Sequence, residues 1–232
     1  MTSKAKLKIV GHRGARGLAP ENTLAAIRKG LEHHVDEIEI DVRVTKDGIV
    51  VLHHDLDLQD QTGESYNVRH TTYKELLAHK PDLATLAEAI VCIKKTVPLQ
   101  IEVKSGEKVQ PVVQVVQEYL NKGWKPTDFL FGSKSHKTLI ELRRLLPEIP
   151  VVVIESWSSV VAQWRLLHLG NGAVRLSMGK HWLWDGYISL VGRSKCELYV
   201  YTLDDPLLAK RWAKLGMTGV ITDRPDLYDK QA

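Results

Sequence analysis

The feature that most constrains this chain is its rhythm: short apolar runs alternate with longer amphipathic stretches from one end to the other. KLKIV (6–10) reads as a strand, and NTLAAIRKGLEHH (22–34) as a helix with Leu24, Ile27 and Leu31 on one side. EIEIDVRV (37–44) alternates at a period of two, and the turn Thr45-Lys46-Asp47-Gly48 leads into a second extended piece, IVVLH (49–53). LATLAEAIVCIKK (83–95) is helical and PLQIEVK (98–104) is a strand. KVQPVVQVVQEYLNKG is helical, with Pro111 either in its first turn or kinking it. DFLFG (128–132), PVVVIE (150–155) and AVRLS (173–177) are strands separated by the helices SHKTLIELRRLL and SVVAQWRLLHLG. Residues 181–193 carry no clear period. ELYVYT (197–202), PLLAKRWAKLG (206–216) and TGVIT (218–222) close the series. With 37–53 counted as one unit and an extension, there are eight βα-like units. Eight such units in 232 residues predict an α/β chain folded as a (β/α)8 TIM barrel, a single domain over 1–232. A doubly wound open sheet is the alternative, because alternation alone does not establish closure.

Charge and composition narrow the partners. The net charge of +4 is mild, and Lys and Arg are spread without a long basic run. That favours anionic ligands and argues against nucleic acid. No window approaches the roughly 18 apolar residues of a membrane helix. The first residues, MTSKAKLKIVGHRG, lack the apolar core of about 7–15 residues of a signal peptide. The expectation is a cytoplasmic protein with no stable membrane insertion. Cys92 and Cys196 sit in no CxxC or Cys/His metal spacing and read as buried thiols.

In a barrel of this kind, chemistry gathers where strands end and loops begin. The first strand ends in His12 and Arg13, the second carries Glu37, Glu39 and Asp41, and its extension ends in His53, His54 and Asp55. The next strand ends in Glu102 and Lys104. Residues two apart on a strand share a face, so Glu39 and Asp41 crowd like charges onto one side of a strand that should be apolar. Two readings relieve the crowding. Either a cation sits between them, with Glu102 as a third oxygen ligand, which suits Mg²⁺ or Ca²⁺, with Mn²⁺ as a further option. Or the carboxylates pair with Arg43, Lys104 or other bases. Histidines at neighbouring strand ends supply acid and base near neutral pH. Arg13 offers a fork for a phosphate and Lys104 a point charge, a set that suits phosphoryl transfer. In the PENT segment (20–23), Pro20 bends the chain, and Asn22 or Thr23 caps the helix that follows. Such a segment can hold the His12–Arg13 loop against the site.

Taken in order, HRG (12–14), PENT (20–23), EIDV (39–42), HHD (53–55), EVK (102–104), YTLDD (201–205) and GVITDRPD (219–226) resemble the glycerophosphodiester phosphodiesterase family. The resemblance covers about residues 9–227. It implies a TIM barrel that hydrolyses glycerophosphodiesters to sn-glycerol 3-phosphate and an alcohol, with a divalent cation. By motif it implies Glu39, Asp41 and Glu102 as metal ligands, His12 and His54 as the catalytic pair, and Arg13 and Lys104 as phosphate contacts. Of the two adjacent histidines, His54 directly precedes Asp55 and fits the family's His–Asp pair, with His53 as the alternative. Three departures stand out: LQDQT (58–62) lacks the family's arginine, Asp204 stands where an Asn is usual, and the segment between the second and third strands is short. The substrate implied is a small soluble glycerophosphodiester. Trp157, Trp164, Trp182 and Trp184 raise two further options: they pack helices, or they form an apolar approach for a lysophospholipase D-like reaction. A catalytically silent barrel that binds phosphorylated ligands is the alternative from outside enzymology.

Overall fold

The computed structural model describes residues 6–169, 173–194 and 196–229. Closure, which the alternation left open, is settled by strand pairing. The strands are β1 (Lys8–Gly11), β2 (Glu37–Val44), β3 (Val50–Leu52), β4 (Asp57–Gln59), β5 (Ser65–Asn67), β6 (Leu99–Val103), β7 (Phe129–Ser133), β8 (Val151–Glu155), β9 (Ala173–Gly179), β10 (Glu197–Tyr201) and β11 (Gly219–Thr222). β2, β6, β7, β8, β9, β10 and β11 follow one another in parallel, and β1 pairs with both β2 (Val10↔Glu37) and β11 (Lys8↔Gly219). The result is a closed eight-stranded parallel barrel, so the open sheet is ruled out. β3 lies antiparallel on β2 (Val42↔Leu52), and β4 and β5 form a separate hairpin. β3 is the extension expected within 37–53, while the β4–β5 hairpin follows it.

The helices are α1 (Leu24–Glu32), α2 (Tyr73–His79), α3 (Leu86–Ile93), α4 (Val109–Asn121), α5 (His136–Leu145), α6 (Ser159–His168), α7 (Asp185–Gly192) and α8 (Pro206–Leu215). Local chemistry starts most of them. Thr72 and Thr85 form capping boxes with Glu75 and Glu88, while Ser135, Ser158 and Asp205 accept from the first-turn amides of α5, α6 and α8. Pro111 is the third residue of α4, where its missing N–H costs nothing. The unreadable 181–193 holds a 3₁₀ turn, Lys180–Trp182, and then α7. Gly186 and Gly192 interrupt its apolar period, and only Tyr187, Ile188 and Val191 are buried. β11 is followed by a 3₁₀ turn, Pro225–Tyr228.

Strand β2 shows how the barrel sorts its residues. Ile38, Ile40 and Val42 belong to the main core between strands and helices, and alternation therefore turns Glu37, Glu39, Asp41 and Arg43 inward. At the N-terminal end of the strands, Glu37 accepts two bonds from Arg175 (2.6 and 2.8 Å), whose guanidinium stacks 3.8 Å over Tyr199. A second core of Val51, Leu58, Val68, Leu76 and Leu83 seats the β4–β5 hairpin and α2. Cys92 and Cys196 are free and only half-buried, a correction to the buried thiols expected from the sequence: Cys92 borders a groove beside α1, and Cys196 lies in the turn before β10. Among the described residues no helix is long and apolar enough to cross a membrane.

Candidate active site

β1 delivers His12 and Arg13 to the C-terminal mouth of the barrel, and Gly14 turns the chain away. Its φ is +90°, and a Cβ there would lie 2.5 Å from the Ala26 backbone, so the turn over α1 requires glycine. The Arg13 amide donates to Glu39 Oε2 (3.0 Å) and the Gly14 amide to the Glu39 carbonyl (3.0 Å). PENT then explains itself residue by residue. Glu21 accepts from Arg13 Nη1 (2.7 Å). Asn22 donates to Asp41 Oδ2 (2.9 Å) and accepts from the Asp41 amide (3.0 Å). Thr23 donates to the Pro20 carbonyl (2.7 Å) and accepts from Ala26 N (3.2 Å). Thr23 is thus the helix cap, while Asn22 orients a carboxylate.

Glu39, Asp41 and Glu102 are buried, and one oxygen of each lies within 4.8 Å of the others. Strand pairing makes this so, since Asp41 is in register with Glu102. Lys104 Nζ donates to Asp41 Oδ1 (2.8 Å) and Glu102 Oε1 (2.9 Å), and Arg13 Nε is 3.1 Å from Asp41 Oδ2. Arg43, the other base considered, turns away to Glu107 (2.8 Å) and to the His54 carbonyl (3.0 and 2.8 Å). Three carboxylates therefore face two cations. Burial, then Asp41 and Glu102, hold the Glu39 carboxyl well above the usual carboxylate range. Burial and then Asp41 push Glu102 up as well. Burial works against the Asp41 charge too, but Lys104 and Arg13 outweigh it and hold that group low. A buried, all-oxygen cluster with surplus negative charge fits a hard divalent cation.

The two histidines face one cavity of about 140 Å³, shared with Arg13, Arg16, Glu39, Glu102, Lys134 and Tyr201. His12 Nδ1 is 2.6 Å from Asp223 Oδ1, which leaves Nε2 for chemistry. Asp223 also meets Arg16 Nε (2.7 Å), and its amide donates to Asp204 (2.9 Å). Asp204 further accepts from the Thr222 hydroxyl (2.5 Å), so the carboxylate standing in for an Asn serves here purely as an acceptor. His54 Nδ1 is 2.8 Å from Asp55, and burial lowers its pKa. His53 does not border the cavity, and its ring meets the Asp57 carbonyl (3.2 Å).

The expected residues thus converge, with one difference of emphasis. Lys104 sits among the carboxylates rather than on the cavity wall, where Lys134 and Arg16 stand instead. Neither of these two, nor Asp223, was singled out from the sequence. Each follows the end of a strand within five residues, and Asp223 also lies within the GVITDRPD segment (219–226).

Residues 12–227 match the Glycerophosphoryl diester phosphodiesterase family. A protein named glycerophosphodiester phosphodiesterase from Caldanaerobacter subterraneus subsp. tengcongensis is 27% identical, over 95% of this chain and 96% of its own. A phosphodiesterase of Oleispira antarctica, solved in complex with the product sn-glycerol-3-phosphate, superposes with a TM-score of 0.80 at 26% identity, over 96% of this chain and 97% of that one. A glycerophosphodiester phosphodiesterase of Thermotoga maritima shares the fold with a TM-score of 0.79 at 23% identity, over 99% of this chain and 100% of its own.

Proposed function

Since this chain belongs to the Glycerophosphoryl diester phosphodiesterase family, we propose that it hydrolyses glycerophosphodiesters to sn-glycerol 3-phosphate and an alcohol, with His12 and His54 as proton carriers. One observation carries the reading: two histidines, each with a carboxylate on Nδ1, share a cavity with a buried triple-carboxylate cluster. Glu39, Asp41 and Glu102 would hold the divalent cation, Mg²⁺, Ca²⁺ or Mn²⁺, which would supply Lewis-acid stabilisation of phosphoryl charge. Arg13 grips a non-bridging phosphate oxygen, and Lys134 and Arg16 add positive potential at the mouth. Lys104 keeps Asp41 and Glu102 in place and contributes its charge from behind them. Burial keeps His54 neutral at neutral pH, so it takes the proton of the attacking hydroxyl, whether of water or of the glycerol itself. The Asp223 carboxylate supports a charged imidazole at His12, which gives its proton to the leaving alkoxide.

The test is release of glycerol 3-phosphate from glycerophosphocholine and glycerophosphoethanolamine by purified protein, with Mg²⁺, Ca²⁺, Mn²⁺ or EDTA. Release that needs a cation and stops with EDTA is expected. Phosphate-ester binding with no turnover under any cation would return the chain to the silent-barrel reading.

A further inference from the structure

Most of the exposed large apolar residues around the barrel mouth lie on one side. Trp157 follows β8 and is 74% exposed; Trp182 and Trp184 follow β9 and are 47% and 57% exposed. Val160 and Leu207, in the first turns of α6 and α8, are also exposed. All five stand at the C-terminal ends of three adjacent strands, β8, β9 and β10. The rim beside β1 and β3 instead exposes the charged Arg16, Asp55 and Asp57, with Leu56 its one exposed large apolar residue among them.

The loop that carries Trp157 is braced by buried structure. Glu155 Oε1 accepts from the Ser156 and Trp157 amides (2.9 Å each). Arg165, itself buried, donates to the Ile154 carbonyl (2.7 Å) and the Ser133 carbonyl (2.9 Å) and lies 3.4 Å from Glu155 Oε2. Ser156 bonds Tyr201 (2.7 Å), which borders the catalytic cavity, and Gly179 packs on Ser156, joining the two tryptophan-bearing loops.

We infer that this lip docks the barrel mouth onto an anionic lipid surface, without insertion of a helix. Three features select that partner. Indoles are the side chains that settle at the boundary between head groups and acyl chains. They project from two loops, Trp157 from one and Trp182 and Trp184 from the other, which suits a deformable surface better than a shaped protein pocket. Lys134, Lys137 and Lys180 stand on the same side of the mouth; of the acids there, Asp185 is paired with Arg211 and Asp205 is engaged in capping α8. The lip adjoins the cavity, so docking brings phosphodiester head groups to His12 and His54; this consequence rests on the function proposed above, while the docking does not.

The experiment is co-sedimentation of the intact protein with phosphatidylcholine vesicles, with and without phosphatidylglycerol, at low and high salt. Binding to the anionic vesicles that weakens with salt is expected. The triple variant W157A/W182A/W184A should bind at least about tenfold more weakly, and K137Q/K180Q roughly fivefold more weakly per lysine. Both should hydrolyse soluble glycerophosphocholine at the parent rate. Brominated lipid, which needs no variant, should quench a large part of the tryptophan fluorescence while the buried Trp124 and Trp212 stay bright. Absent sedimentation, or a triple variant that binds like the parent, overturns the inference. So does a dimer that the triple variant dissolves, which would assign the lip to a second copy. A protein that binds vesicles yet hydrolyses no phosphodiester keeps the docking and removes the activity.

Discussion

At the scale of single residues, the site depends on how its imidazoles are oriented. His12 is fixed through Asp223 and His54 through Asp55, so the two rings present their other nitrogens to one cavity. Asp223→Asn keeps the shape but can hold the ring in the wrong tautomer and no longer supports a charged imidazole. We expect kcat on glycerophosphocholine to fall by about 10² or more with little change in KM. Steady-state kinetics, with circular dichroism as a folding control, would check this; a selective rise in KM would instead assign Asp223 to binding. The neighbouring pair His53 and His54 gives a sharper contrast. Only His54 borders the cavity, so His54→Ala should lose about 10²–10⁴ in kcat, while His53→Ala should stay within a few-fold of the parent. Equal losses in the two variants would contradict the assignment.

At the scale of elements, Glu107 joins parts of the chain that are far apart. Its carboxylate accepts from Arg43 on β2 (2.8 Å), from Arg69 in the 3₁₀ turn Val68–His70 (2.9 Å) and from the Val44 amide (3.3 Å). Arg43 in turn holds the His54 carbonyl. Glu107→Gln leaves a buried guanidinium without its counter-charge, an expected cost of about 3 kcal/mol or more. At roughly 2–4 °C per kcal/mol for a chain of this size, the melting temperature should drop by at least about 6 °C. Since His54 loses a brace, kcat should fall more than KM rises. An unchanged melting curve would deny the hub. Glu107 also shows where sequence reading stops. Strands and most helices were legible because their apolar periods are local, and Glu39, Asp41 and Glu102 were legible because charge on a barrel strand conflicts with burial. Glu107 lies in SGEKV, which reads as an ordinary charged loop. Asp223 is 211 residues from His12, a partnership only barrel closure creates. The α7 helix was hidden by its two glycines, and Lys104 looked like a cavity cation because spacing does not say which side of a carboxylate a lysine takes.

At the scale of the whole molecule, the barrel carries an electrostatic load that a cation should relieve. Glu39 and Glu102 have raised pKa values, caused first by burial and next by their carboxylate neighbours. The sign follows from proton binding. A carboxyl with a higher pKa folded than unfolded holds its proton longer in the folded state. Its contribution is most favourable below the unfolded value, about 4.3, and is lost as pH rises from there through the folded value. Metal-free protein should therefore lose part of its stability between mildly acidic and neutral pH. A divalent cation should restore it, since it binds the ionised cluster and not the unfolded chain. At a free concentration 100 times Kd the gain is about 2.7 kcal/mol, or roughly 5–10 °C in melting temperature. Glu39→Gln separates this from a general salt effect. The variant removes one of the three like charges, so in EDTA it should melt at or above the parent temperature at pH 7, lose most of the cation-dependent rise, and lose turnover with it. Thermal melts of parent and variant across pH 5–8, with EDTA or with each cation, read all three. A parent whose melting temperature ignores both pH and cation would show that Lys104 and Arg13 alone neutralise the cluster, and that the crowded carboxylates of β2 and β6 were a structural ion-pair network rather than a metal site.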